Sequence, residues 1–441
     1  MNTPIYDFVK AYSESGFVRG HMPGHKGRIG SDPISALYPY DITEIHGADV
    51  LFEANGIIAE SEKNASELFG TDGTFYSAGG STLCIQAMLA IVCGRGGRVA
   101  AARNSHKAFI NSCILLGIEP VWVYPEFDNG SVVGGKITAE SVKRAIEENS
   151  DVSCVYITSP DYLGNIADIK AISEVCHSFG KPLLVDNAHG AHLAFLEKSL
   201  HPIRLGADIC CDSAHKTLPV LTGGSYLHTA ERSFTTKAKG AMSLFGSSSP
   251  SYLILQSLDL CNKYLAENFR SELAETVKRV ETLKARLAGG YHICPSEPLK
   301  LTVYTLPCGR TGGETADFLR QNGIEAEYSD RTHIMLMFSP KNSEDDFERV
   351  YRAFSSMPFP RIKLSAPNFT LVPPKKAMPP RDAYFSEHKT VPVDEAEGKI
   401  CAEAVTVCPP CVPILVGGEV FDGNSVKILK MYGISEVNVI Q

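Results

Sequence analysis

The sequence predicts an α/β fold with a mainly parallel sheet, and three observations predict it. Short apolar runs of strand length recur along the first half of the chain, helical stretches separate them, and turn residues close each run. Runs that are apolar on both faces belong in a sheet covered on both sides, and strand–helix–strand alternation builds such a sheet in parallel. At roughly 150 residues per domain, the 441 residues make about three units, or one large domain with smaller companions.

The elements follow in order. Residues 60–69 read as a helix stopped by Gly70, residues 73–76 as a short aromatic strand, and residues 81–93 as a helix with small and apolar residues throughout. Arg98–Ala102, 118–124, Val152–Thr158, 182–185 and 207–211 read as buried strands, with Lys107–Leu116, 138–147 and 169–179 as helices among them. A long helical pattern occupies 252–288 and stops at Gly289-Gly290. Shorter α/β pieces follow at 299–305, 314–322 and 332–339. Two proline pairs make 372–381 a stiff connector, and a small unit rich in Val and Pro begins at Tyr384.

The 42 basic and 50 acidic side chains leave a net charge of −8. That balance argues against nucleic acid or an anionic membrane as partner, since both call for a basic face; it is compatible with a cationic substrate. Residues 1–20 carry Asp7, Lys10, Glu14 and Arg19 and no apolar core, so no signal peptide is expected. No apolar run approaches bilayer length. Thirteen cysteines, odd in number and irregular in placement, suit reduced thiols in a soluble cytoplasmic protein better than a disulfide framework.

Ligands of parallel α/β sheets gather beyond the carboxyl ends of the strands, so the residues after each strand carry the chemistry. Ser77-Ala78-Gly79-Gly80-Ser81-Thr82 opens directly into a helix. Glycines admit close backbone approach, hydroxyls donate, and a helix N-terminus favours an anion, which together make a phosphate cradle. The plainer alternative is a glycine turn with a serine cap. His106, after Arg98–Ala102, either caps the next helix or sits over a bound ring. Asp186 ends the run 182–185, a costly place for a carboxylate without a cationic partner unless it caps a helix. His189 and His192 follow with no third ligand at suitable spacing, so no metal is expected. Ser213-Ala214-His215-Lys216 follows 207–211 and sets a lysine behind a histidine and near a hydroxyl. Cradle, strand-end carboxylate and strand-end lysine fit one cofactor, pyridoxal 5'-phosphate. It needs a lysine Schiff base, an acid opposite the pyridine nitrogen, and a phosphate cup.

The same residues resemble a family. His21-Met22-Pro23-Gly24-His25-Lys26-Gly27, Asp41-Ile42-Thr43-Glu44-Ile45, the Gly-Gly-Ser-Thr cradle, Arg103-Asn104-Ser105-His106-Lys107, Asp186 with His189-Gly190-Ala191-His192, and Ser213 to Lys216 look like the ornithine/lysine/arginine decarboxylases. The resemblance is to the short form without an N-terminal wing domain, and it extends to the segment from Cys408 to Glu419. It implies a fold-type I pyridoxal enzyme of the aspartate-aminotransferase type. It also implies a division into an N-terminal arm and cofactor domain (1–288), a small α/β segment (289–371), and a linker with a C-terminal domain (372–441). Carried over residue by residue, it implies that Lys216 bears the cofactor, Asp186 pairs with the ring nitrogen, and His106 and Ala188 cover the two ring faces. Gly80, Ser81, Thr82, Ser213 and His215 would serve the phosphate, His106 and His215 also counting among the catalytic residues. Ser247 and Ser248 would reach a phosphate across a homodimer interface. Decarboxylation of arginine, lysine or ornithine to the amine, as in polyamine biosynthesis, is the implied reaction.

Departures bear on the substrate. Asn187 stands where the family's usual Glu follows the cofactor aspartate, and Cys408 and Cys411 replace a tyrosine and a glycine. His189, Asp161 and Glu419 are the candidates for contact with the substrate, the two acids for a distal cationic group. Lys26 precedes every strand, which makes an entrance or interface role better for it than cofactor attachment, and Cys210 and Cys211 read as core. Two rivals stay open at this point: a fold-type I aminotransferase or lyase, with Arg331 holding a carboxylate, and a non-catalytic paralogue acting as a binding partner.

Overall fold

The computed structural model describes residues 1–127, 133–360, 364–366, 373–407 and 412–441. Its chain groups into two units, Met1–Val92 with Pro182–Leu273, and Cys93–Lys181 with Ala274–Gln441.

In the first unit the strands lie in the order Gly73–Ser77, Ser225–Thr229, Ile209–Asp212, Leu183–Asp186. The last two are parallel, with Asp186 opposite Cys211, and Ser225–Thr229 runs antiparallel to both its neighbours. Leu183–Asp186 and Ile209–Asp212 are buried at every residue, Cys210 and Cys211 included, as their apolar runs require. The sequence Ser-Tyr-Leu-His-Thr of the antiparallel strand conceals an equally buried element. Two of its polar side chains find partners on the neighbouring strand: His228 Nδ1 lies 2.8 Å from Thr74 Oγ1, and Thr229 Oγ1 donates to Gly73 O. Gly80–Cys93 follows the first strand as a helix with seven buried residues spread around it.

The N-terminal helix Pro4–Glu14 escaped the pattern reading. Its N-cap Thr3 makes no side-chain capping bond; instead the buried Asp259 accepts the N–H groups of Ile5 and Tyr6, each at 3.0 Å. Burial pushes the Asp259 carboxyl up to about 6, against the hydrogen bonds from Ser61, Tyr6 and Ile5 that favour the carboxylate. An acid that is harder to ionise when folded holds its proton more tightly in the native chain than in the unfolded one. Its contribution is therefore full below pH ~4 and is lost as pH rises through about 6, an effect on the order of 3 kcal/mol. The thermal midpoint is expected to fall across that window, and Asp259→Asn to flatten the fall; equal slopes for the two proteins would refute the assignment.

In the second unit Arg98–Ala102 pairs in parallel with both Glu119–Val123 and Val152–Thr158. Val152–Thr158 is followed by a turn and by the helix Ile169–Ser178, whose N-cap Asp168 accepts from Ala171 N–H. A four-stranded antiparallel sheet, in the order His292–Cys294, Lys300–Tyr304, His333–Met337, Tyr328–Ser329, packs with the helices Gly312–Gln321 and Glu344–Ser356 around Leu301, Val303, Leu319, Ile334 and Phe354. Further on, His388–Pro392 pairs with Glu436–Ile440 over a core of Val391, Cys401, Val412, Phe421 and Ile428. The long pattern at 252–288 comprises Tyr252–Tyr264, one widened turn Leu265–Phe269, and Arg270–Leu287. Among the described residues no helix is long and apolar enough to cross a membrane.

Candidate active site

The lysine, the carboxylate and the cradle expected to serve one cofactor all fall in the first unit. Lys216 sits on the short helical turn Ala214–Thr217, immediately after Ile209–Asp212, and its Nζ lies 3.0 Å from His189 Nε2. His189 comes from the segment that follows the neighbouring strand Leu183–Asp186. Asp186 closes that strand, buried, and its Oδ1 accepts Ala188 N–H at 3.2 Å and faces Cys211 Sγ at 3.7 Å. It caps no regular helix: a glycine-led turn, Ala191–Phe195, comes next with Gly190 at its N-cap.

The cradle is built by the backbone. Gly80 has φ +68°, a conformation strained for any residue with a side chain, and a Cβ placed there would meet nothing within 4 Å. Its N–H donates to Gly223 O, and its carbonyl accepts the Ser77 hydroxyl. The glycine thus faces open space at the head of a 14-residue helix. There Ser213 Oγ donates to Ser81 Oγ at 2.8 Å, bringing hydroxyls from two strand ends together, with Thr82 exposed one residue on. Converged hydroxyls at a helix N-terminus fit a phosphate. His215 Nδ1 is 3.0 Å from Gly224 O, which fixes that nitrogen as the donor, and burial lowers the pKa of its ring. Ser247 and Ser248 are exposed; the Ser247 hydroxyl is turned onto its own loop, accepting from Ser249 N–H and donating to Ser249 O.

His106 belongs to the second unit. Its Nδ1 accepts Ala108 N–H at 3.1 Å as the N-cap of Lys107–Leu116, so the capping alternative is realised and the ring proton sits on Nε2.

Two candidates for the substrate pocket have protein partners of their own. Glu419 is buried in a bidentate pair with Arg103, both Nη–Oε distances being 2.8 Å, and its Oε2 also accepts Val416 N–H. Asp161 is likewise consumed: one oxygen accepts Gly164 and Asn165 N–H, the other Gly135 N–H and Asn165 Nδ2. Burial raises its pKa despite those bonds. Both carboxylates organise loops of the second unit. Asn187 also has a local task, donating to Asp212 Oδ1 at 2.6 Å. Cys408 and Cys411 lie outside the described residues.

Pattern reading missed two features. Lys300 is fully buried and donates to the carbonyls of Asp161 and Tyr162, from 139 and 138 residues away. The two N-terminal motifs are tied together: His25 stacks on Tyr38 at 4.2 Å, its Nε2 lies 3.2 Å from Asp41, and the Thr43 hydroxyl donates to Met22 O. A histidine and an aspartate 16 residues apart gave a motif but no contact.

Comparison with known proteins decides the family. Residues 3–306 match the model of the Orn/Lys/Arg decarboxylase major domain, and residues 363–436 that of the corresponding C-terminal domain. The chain belongs to the Orn/Lys/Arg decarboxylase family. It is 34% identical to an arginine decarboxylase of Bacillus subtilis, over 97% of this chain and 93% of that protein. It is 31% identical to an arginine decarboxylase of Halalkalibacterium halodurans, with the same coverages of 97% and 93%. The constitutive lysine decarboxylase of E. coli shares the fold, with a TM-score of 0.82 at 17% identity over 100% of this chain and 82% of the other. This Orn/Lys/Arg decarboxylase is thus an α/β enzyme of the pyridoxal-phosphate type, as the strand-end residues required.

Proposed function

We propose that this enzyme decarboxylates a basic L-amino acid, arginine before lysine and ornithine, and that bound pyridoxal phosphate is held at Lys216. The juxtaposition that carries the reading is Lys216 after one strand, buried Asp186 at the end of the parallel neighbour, and the Gly80–Ser81–Ser213 cradle beside them. The full-length likeness to arginine decarboxylases supports arginine as the first substrate to try.

The chemistry supplied by bound pyridoxal phosphate is an electron sink for the pair left on the α-carbon as carbon dioxide departs. The chain's own residues do the rest. The Lys216 amine holds the cofactor and exchanges its proton with His189 Nε2, 3.0 Å away. Asp186, oriented by Ala188 N–H, would keep the ring nitrogen protonated, and Ala188 would cover a ring face. The Gly80 turn and the Ser81 and Ser213 hydroxyls bind the phosphate, Thr82 adding a donor and His215 fixing the lysine turn through Gly224. The family resemblance gives His106 the role of the ring that would stack on the cofactor, and its own helix cap leaves the proton on Nε2. Ser247 and Ser248 are exposed as a cross-subunit contact in a homodimer would require. The described cysteines are all free thiols, which supports a cytoplasmic enzyme, and a product amine suits polyamine synthesis.

The test is release of carbon dioxide from carboxyl-labelled arginine, lysine and ornithine with no keto acid present. Arginine is expected to give the highest kcat/KM. Amino transfer that requires a keto acid and evolves no carbon dioxide would establish the aminotransferase reading instead.

A further inference from the structure

The first unit contains a second group of chemistry-bearing side chains that the proposed decarboxylation does not use. His201, Cys210, Asp212 and His228 are all fully buried, and one ligand atom from each lies within 4.8 Å of every other. Asp212 Oδ2 is 3.1 Å from His201 Nε2 and 3.2 Å from His228 Nε2, while Cys210 Sγ is 3.9 Å from His201 Nε2. The residues come from two paired strands, Ile209–Asp212 and Ser225–Thr229, and from the segment before Pro202–Leu205. We propose that these four side chains form a closed, structural zinc site.

The donor set is the first reason. Two imidazoles, a thiol and a carboxylate are the ligand types of tetrahedral zinc, and four protein ligands with no open position make a structural site, not a catalytic one. Atoms bound tetrahedrally at about 2.0–2.3 Å stand about 3.3–3.8 Å apart; the three separations of 3.1, 3.2 and 3.9 Å need adjustments of a few tenths of an ångström, and the remaining pairs, all within 4.8 Å, contract by about 1.5 Å at most.

The surrounding contacts are the second reason. Ligands of a zinc site are oriented by outer hydrogen bonds. Here Asn187 Nδ2 donates to the far oxygen of Asp212, and Thr74 Oγ1 lies 2.8 Å from the remote nitrogen of His228. His201 Nδ1 has no hydrogen-bond partner among the described residues, so no such contact fixes that ring's proton on Nε2. No Lys or Arg pairs with Asp212 among the described residues, only the two imidazoles. Hydrogen bonding alone therefore leaves a carboxylate in a dry interior with no formal cation beside it unless an imidazole is protonated.

Zinc closes that balance. On binding, bonds form to one sulfur, one oxygen and two nitrogens. The Cys210 S–H bond breaks and its proton leaves to solvent, each imidazole carries its proton on Nδ1, and no oxidation state changes. Charges of +2 from the metal and −1 each from thiolate and carboxylate sum to zero. The metal would clamp the strand whose next residues are Ser213 and the Lys216 turn.

The experiment is metal analysis of the purified holoenzyme, grown with added zinc and dialysed against a weak chelator. About one zinc per chain is expected in the parent. Cys210→Ala is expected to hold less than about a tenth of that, with unchanged far-UV circular dichroism, while the control Cys113→Ala keeps full zinc. Cobalt exchanged into the stripped enzyme is expected to give the red ligand-field bands of a tetrahedral thiolate site, absent in Cys210→Ala. A parent enzyme that retains no zinc even after incubation with excess Zn2+, or equal zinc in the parent and Cys210→Ala, would overturn the proposal and leave a plain hydrogen-bonded cluster.

Discussion

Alanine in place of Lys216 is expected to lower carbon dioxide release from arginine by about four orders of magnitude or to the limit of detection. The size follows from the two tasks assigned to one amine, holding the cofactor covalently and moving a proton at the reacting carbon. The side chain is exposed at the end of a buried strand, so the change empties no core volume. The fold should survive, and far-UV circular dichroism of the variant should match the parent. Visible absorbance of added pyridoxal phosphate that tracks the wild-type protein and is missing in Lys216→Ala would confirm the attachment. The same absorbance in both would move the cofactor to another residue. Lys216→Arg should fail as completely, because a guanidinium stays protonated and offers no neutral amine.

The second large effect concerns stability. Arg103 and Glu419, 316 residues apart, form a bidentate pair that is almost wholly out of solvent. The guanidinium also donates to Ile414 O and lies over the Trp122 ring at 4.6 Å. Burial opposes its charge, the Glu419 carboxylate outweighs that, and the pKa of Arg103 is raised. Arg103→Ala leaves Glu419 buried and uncompensated, at a cost of about 3–5 kcal/mol and a fall on the order of 10 °C in thermal midpoint. Exchanging both partners together, Arg103→Met with Glu419→Leu, should recover most of that loss, since the penalty comes from a lone charge and not from a missing attraction. Arg320, in an exposed pair with Glu325, gives the comparison: Arg320→Ala should move the midpoint little. A shift for Arg103→Ala no larger than that would refute the buried-pair assignment. If Glu419 met the substrate instead, Glu419→Gln would raise KM with the midpoint unchanged.

What separates the expectations that held from those that did not is the distance over which each one acts. The strands at Arg98–Ala102 and Val152–Thr158 and the helix Lys107–Leu116 are local events, decided by apolar spacing and by turn residues that the sequence displays directly. A residue that follows a strand in a parallel sheet is carried to the ligand edge whatever its partners are. That is why Lys216, Asp186 and the Gly80 turn could be singled out together from their positions after strands. The strand Ser225–Thr229 was not, since its burial depends on partners such as Thr74, 154 residues away from His228.

The α/β class and the cofactor were readable from the chain alone, as were the strand-end positions of the residues proposed to hold it, because each rests on short-range pattern and on the order of strand ends. Only the tertiary structure decided what the buried acids do. A carboxylate's role is set by the donor it meets, and Glu419 meets Arg103, Asp161 meets the Gly135 and Gly164 amides, and Asp212 meets two histidines and Asn187. Burying an acid is tolerable only where such partners converge, and convergence of groups far apart in the chain has no signature in their spacing.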